Sequence, residues 1–385
     1  MVFAGIGYYT NKSLHFLPNL NKPDKSLHFL PNLNKPEILW QSKKIDDLEL
    51  YAFSYANGLI YVYNTNPASE EASPIVVIDS KTGEEKWRIP MRNYISSDNP
   101  FIVQGDTIFF ADTKFYSKQV FLAIDNKTGE ERLRIDAGSS PYPSIGEFLV
   151  AENSVFLSNS SYLYSINAQT GQEQWRTTQP LTKGLVAPPI LSNNSLFLLT
   201  TEGLYALDSK TGQEKWKYKI IQSGFLFTPP VIAKNTVYFK INNKDLFAVD
   251  ATTGQENWRF SLLQDIVAGP VVENDTVYVK TESKIYAVDG ETGKEIWVLD
   301  IGDRAPWDLA INNGVLYFKK SYGFCFDVCT KFSLHAYDVK TRKEKWSFDP
   351  SGMVRGLVVN KDEGVVYVFS PVPGFDLYGH LYGLR

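Results

Sequence analysis

Histidine, methionine and cysteine are scarce in this chain: four, three and two residues among 385. The shortage narrows the chemistry on offer. His15 and His28 sit in a repeated N-terminal segment, and His335 and His380 in strand-like stretches, so they make no His-Glu-x-x-His metal site. A Gly-x-Ser-x-Gly elbow and a Walker loop are also missing. Catalytic residues are therefore not expected. Cys325 and Cys329 share one loop, GFCFDVCTKF. Their spacing is not Cys-x-x-Cys and no further tetrahedral ligands accompany them, so no metal is expected there. Two states stay open for the pair: reduced thiols, or a local disulfide that would imply an oxidising compartment.

Long apolar runs are missing too. None reaches the roughly 18 residues of a membrane helix, so no transmembrane segment is expected. The start, MVFAGIGYYTNKSLHF, lacks the charged and apolar regions of a signal peptide. Net charge is −4 with no Lys/Arg cluster, which excludes the electrostatic footprint of a nucleic-acid binder.

What the chain has is a repeat. Leu204–Trp216 reads LYALDSKTGQEKW. Leu204–Leu207 is apolar at every position, as in a strand buried on both faces. Asp208 and Thr211 are suited to bond the backbone of a tight turn, and Gly212 supplies the positive φ that ends it. This is hairpin grammar. On the returning strand, simple alternation puts Glu214 and Trp216 on one face. The Asp position recurs as Asp79, Asp125, Asn167, Asp208, Asp250, Asp289 and Asp338. A threonine follows three residues on in every copy, and a glycine four on in all but the last, which has Arg342. Eight on stand Trp87, Trp175, Trp216, Trp258, Trp297 and Trp346, with Leu133 in the second copy.

Copies spaced by roughly 40 to 50 residues signal a propeller or solenoid. Two short apolar strands precede each hairpin, so the unit is four antiparallel strands, one propeller blade. The tryptophan fills the gap to the next blade, because an indole buries about 150–250 Å². Glu37–Lys43 is the second half of a hairpin and carries Trp40, while Leu381–Arg385 is a first half. Pairing them closes the ring and removes exposed sheet edges. The expectation is an all-β, eight-bladed β-propeller with N/C-terminal strand closure; if the termini stay apart, seven blades. Residues 1–36 are expected to form a flexible tail, since KSLHFLPNLNKP occurs twice there and its prolines prevent a continuous helix.

The Ala-x-Asp-x-x-Thr-Gly-x-x-x-Trp pattern resembles the tryptophan-docking motif of the PQQ-like, quinoprotein-type β-propeller family. The resemblance covers about residues 37–385. It implies structural docking for Trp40, Trp87, Trp175, Trp216, Trp258, Trp297 and Trp346. Two branches of the family set the functional expectations. The quinoprotein dehydrogenases bind PQQ and calcium over the propeller centre and are longer chains; many of the alcohol dehydrogenases among them have adjacent cysteines. The second branch resembles the outer-membrane assembly lipoprotein of the β-barrel assembly machinery, a cofactor-free scaffold. The second is favoured: a non-enzymatic, monomeric scaffold binding a protein partner, with no cofactor, outside the cytoplasm in the periplasm or at the cell surface. The alternative is a PQQ-dependent dehydrogenase-like or small-ligand-binding propeller.

Two further sets of residues depart from the repeat. Opposite the Thr-Gly turns, Asn64–Pro74, Lys319–Lys331 and Ser370–Gly379 read as long loops, against Thr201–Gly203 in blade 4. Ring closure makes them one sector, which carries Tyr322, Phe324, Phe326, Phe375 and Tyr378, a candidate interaction surface. Arg304, Trp307 and Asp308 enter blade 7, and Arg355 falls at the matching point of blade 8; these form a candidate channel mouth. The repeated glutamates cannot share one active site from seven places around a ring, and read as bonds on the outer edge.

Overall fold

Eight antiparallel four-stranded sheets follow one another around a ring, an eight-bladed β-propeller. The computed structural model describes residues 35–43, 45, 51–64, 74–91, 101–112, 120–136, 147–159, 162–178, 185–220, 228–240, 243–302, 308–321, 332–350, 354–372 and 375–385. Asn34–Arg385 is one compact unit. Blades 1 to 7 each take four consecutive strands; blade 1, for example, takes Tyr51–Ala56, Leu59–Asn64, Ile75–Asp79 and Glu85–Ile89. Blade 8 takes Arg355–Asn360, Val365–Val372 and Phe375–Leu384, and borrows its outer strand, Ile38–Gln41, from the other end of the chain. Trp40 stands opposite Gly383, and Glu37 and Arg385 exchange two hydrogen bonds at 3.0 Å. The pairing runs on to a bridge between Ile45 and Gly379.

The hairpin turns form as their residues dictate. The Asp208 carboxylate accepts the N–H groups of Lys210 and Thr211, both at 3.0 Å, and the Gly212 N–H donates to the Asp208 carbonyl at 2.8 Å. Gly212 has φ +71°, and Arg342, the non-glycine exception, holds the same left-handed conformation at +56°. One expectation is corrected. Trp216 pairs with Ala206 but Glu214 pairs with Leu207, so a bulge at Lys215 separates the faces that simple alternation would unite. The bulge recurs at the matching place in the hairpins of blades 1 to 7. It brings residues three apart together: Glu85 meets Arg88 at 2.9 Å, Glu131 meets Arg134 at 2.6 Å and Glu256 meets Arg259 at 3.1 Å.

Instead of one core there are eight apolar clusters, one at each junction between neighbouring blades. The cluster joining blade 8 to blade 1 contains Trp40, Ile60, Val76 and Tyr367, which closes the ring through side chains as well as strands. The long-loop expectation at Ser370–Gly379 is also corrected. Ser370 pairs with His380, Pro371 with Gly379 and Val372 with Phe375, so the hairpin extends on either side of Pro373-Gly374. Lys319–Ser321 likewise belongs to a strand, Val315–Ser321.

Candidate functional site

At the rim opposite the Thr-Gly turns, three consecutive blades carry a lysine at one structural position. Lys240, Lys280 and Lys319 each come two residues after the tyrosine on the second strand of blades 5, 6 and 7. Lys240 and Lys280 are fully buried and Lys319 nearly so. Their equivalents in blades 1, 4 and 8 are Tyr63, Leu199 and Phe369. Burying an ammonium is costly unless it is paired or bonded. Lys240 Nζ donates to the Ile266 carbonyl at 2.9 Å, where blade 6 begins. Lys319 Nζ meets the Asp308 carboxylate at 2.5 Å. Lys280 lies within the field of Asp308, Glu282 and Lys319. Burial pushes Lys240 and Lys280 down to about 8, against the pull of Asp265 on the first and of Asp308 and Glu282 on the second. The array is a cationic ledge at the rim where the inner strands of blades 6 and 7 start.

Of the candidate channel-mouth residues, Asp308 immediately precedes the inner strand of blade 7, Leu309–Asn312, and Arg355 opens the inner strand of blade 8. Arg304 and Trp307 lie outside the described residues, as do Tyr322, Phe324, Phe326, Cys325 and Cys329. Phe375 and Tyr378 belong to the extended third strand of blade 8. The lysines were not among the sequence candidates. Their signal was there: a lysine at the end of three strands that are otherwise apolar, visible only once the second strands are aligned.

One more constellation stands on the outer half of blade 7. Ser333 Oγ lies 2.7 Å from His335 Nε2, and His335 Nδ1 lies 2.5 Å from the Glu344 carboxylate. The connectivity is that of a hydrolase triad. Ser333 and His335 are buried, however, and the imidazole stacks on Phe318 with ring centroids 5.8 Å apart. The chain of bonds anchors Glu344, the last of the repeated glutamates, in place of the arginine used elsewhere.

The docking tryptophans hold neighbouring blades together. In five of them the indole N–H donates to the carbonyl one residue past the Asp position of the next blade. Trp40 reaches Ser80 at 2.8 Å, Trp87 reaches Asn126 at 2.9 Å, Trp175 reaches Ser209 at 3.0 Å, Trp216 reaches Ala251 at 3.1 Å and Trp258 reaches Gly290 at 3.0 Å. Trp297 and Trp346 lie tilted against Tyr278 and Tyr317 of their own blades, ring centroids 5.8 and 5.9 Å apart.

Repeat, blade number and docking geometry together define a PQQ-like propeller. The chain belongs to the family described as outer membrane protein assembly factor BamB, which matches residues 33–260 and 242–371. No curated protein matches it in sequence. Among solved structures it is similar to BamB from Moraxella catarrhalis, with 17% identity and a TM-score of 0.62, covering 89% of this chain and 96% of that one. It is also similar to the computationally designed Ika8 protein, with 13% identity and a TM-score of 0.69, covering 90% and 99%. A third is quinohemoprotein alcohol dehydrogenase ADHIIG from Pseudomonas putida HK5, with 13% identity and a TM-score of 0.63, covering 90% of this chain and 76% of that one. At these identities the likeness is one of fold. No helix among the described residues is long and apolar enough to cross a membrane.

Proposed function

We propose that this chain is a non-enzymatic, monomeric scaffold that binds protein partners outside the cytoplasm, in the assembly of outer-membrane proteins. The observation that carries the reading is the family match, which runs through the ring from residue 33 to residue 371. The spans agree with it: the chain covers nearly all of the Moraxella protein but leaves part of the dehydrogenase without a counterpart. Among the described residues, no three His, Cys, Asp or Glu side chains converge to hold a metal.

The partner surface proposed is the sector of Tyr322, Phe324, Phe326, Phe375 and Tyr378. Exchange of Phe324 and Phe375 for serine should abolish capture of a partner that the intact protein retains; undiminished capture removes the surface from the proposal. Reconstitution with PQQ and Ca²⁺ should give no turnover of alcohols or sugars with a dye acceptor. Measurable turnover would reverse the reading.

A further inference from the structure

The repeat is broken once where it should seat an indole. In blade 2 the docking position is Leu133. A cavity of about 400 Å³ opens beside it, between blades 2 and 3. Part of its wall is the frame that holds indoles elsewhere; Gln104, Asp106, Thr107, Glu152, Asn153 and Gln169 make a polar rim around it. At six junctions the indole lies 5.8–5.9 Å from a ring on the second strand of its own blade: Tyr367, Phe156, Phe197, Tyr238, Tyr278 and Tyr317. Phe109 is that ring in blade 2, and it lines the cavity. Ala123 lines it too, and pairs with Leu133 as Ala206 pairs with Trp216.

The acceptor is also in place. The carbonyls that receive indole N–H groups belong to Ser80, Asn126, Ser209, Ala251 and Gly290, each one residue past the Asp position. In blade 3 that residue is Ala168, which lines the cavity. Leucine has no donor to offer it, and among the described residues its carbonyl receives no hydrogen bond. The turn around it is intact: Asn167 accepts the N–H groups of Gln169 and Thr170 at 3.0 and 2.9 Å, and Gly171 keeps φ +70°. Arg132 lines the recess, fixed by Asp106 at 2.6 Å and Asp125 at 2.5 Å.

We propose that this recess binds the indole of a tryptophan carried by a partner polypeptide. The indole stacks on Phe109, lies beside Leu133 and Arg132, and donates its N–H to the Ala168 carbonyl. The partner thus completes the junction where the repeat lacks its indole. The polypeptide source rests on the scaffold reading; the recess and its preference for indole do not.

The test is titration of the whole protein with N-acetyltryptophanamide, followed by backbone amide NMR. Saturable shifts are expected at Ala168–Gly171, with none from N-acetylleucinamide. The 1-methylindole analogue, which lacks the donor, should bind about tenfold more weakly, the worth of one hydrogen bond. Leu133→Trp should fill the recess and abolish the shifts while the amide spectrum stays folded. Absence of saturation with the wild-type protein, equal binding of the methylated analogue, or unchanged binding by a folded Leu133→Trp protein would each overturn the proposal. A tryptophan-bearing pentapeptide separates the two layers. Binding at least as tight as the amide supports a polypeptide partner. Exclusion of the peptide while the amide binds removes the partner and leaves a small-indole site.

Discussion

The junction between blades 5 and 6 and the junction between blades 2 and 3 share one frame and differ most at the docking side chain. At the first, Trp258 is buried, lies tilted against Tyr238 at 5.8 Å and donates to the Gly290 carbonyl at 3.0 Å. At the second, Leu133 lies against Gly171 with the cavity alongside. Both turns keep the two backbone N–H bonds to the first side chain, the same bulge and a left-handed glycine. The frame therefore does not need the indole in order to form. What the indole adds is packing and one bond between blades, a nearest-neighbour term of the kind that sums around a repeat protein. The largest expected effect follows. Trp258→Ala should cost about 3–5 kcal/mol in urea unfolding, the usual range for an aromatic removed from a core. A loss under about 1 kcal/mol would mean that the junctions are held by the strands alone, and the comparison would lose its point.

The reverse exchange sharpens it. Leu133→Trp should stabilise the chain by about 1–2 kcal/mol, since more apolar surface leaves water and a ready acceptor is met. A destabilised variant would show that the blade 2–3 gap differs from its siblings in width. The glycines give a smaller, graded contrast. A Cβ on Gly293 would lie 2.6 Å from the Trp258 ring, and one on Gly171 would lie 2.7 Å from Leu133 Cδ1. Both positions have φ near +70°, so alanine at either costs about 1–2 kcal/mol in the backbone. A Cβ on Gly293 meets three atoms of a rigid ring, whereas one on Gly171 meets only the end of a flexible side chain. Gly293→Ala should therefore lose about 1–3 kcal/mol more than Gly171→Ala. Equal losses would mean that the cavity gives Leu133 no freedom.

Most of this fold was legible because the repeat is written in residues with fixed backbone tasks. Asp208, Thr211 and Gly212 specify a turn by hydrogen bonding and φ, and the same three positions locate seven hairpins. Trp40 at one end and Leu381–Leu384 at the other are halves of an eighth, and they pair as halves should. The bulge at Lys215 was hidden, because nothing in the residue types distinguishes a strand that skips one residue from one that alternates. The extended hairpin of blade 8 was misread although Pro373-Gly374 is a strong turn signal; the aromatic residues after it drew attention as loop material. The lysine ledge was missed for another reason. A buried lysine is recognisable only from the surfaces around it, and Lys240, Lys280 and Lys319 are about 40 residues apart in the chain. The recess was half legible: Leu133 announced a missing indole, but only coordinates show that the ring, the alanine and the carbonyl around it are still in place.

The smallest effect lies in the turns themselves, where the two junctions differ by an ionisable group. The turn that receives Trp258 is built on Asp289, and the one beside the cavity on Asn167. The Asp289 carboxylate sits below its ordinary pKa because the Thr292 hydroxyl and N–H, both at 2.7 Å, and the Glu291 N–H bond its charged form. A carboxylate held lower in the folded chain than in the unfolded one contributes fully above its ordinary value of about 3.9, and that contribution is lost as pH falls through the folded value. Asn167 makes the backbone bonds without a proton to gain. Asp289→Asn should thus leave the unfolding midpoint at pH 7 within about 0.5 kcal/mol of the parent, as for a surface change that keeps its bonds. Below about pH 4 the variant should lose stability less steeply than the parent. The difference is modest because Asp79, Asp125, Asp208, Asp250 and Asp338 are held low in the same way and still titrate. Parallel acid curves for parent and variant would show that the charge on Asp289 contributes nothing that its geometry does not, and the two turns would be equivalent at every pH.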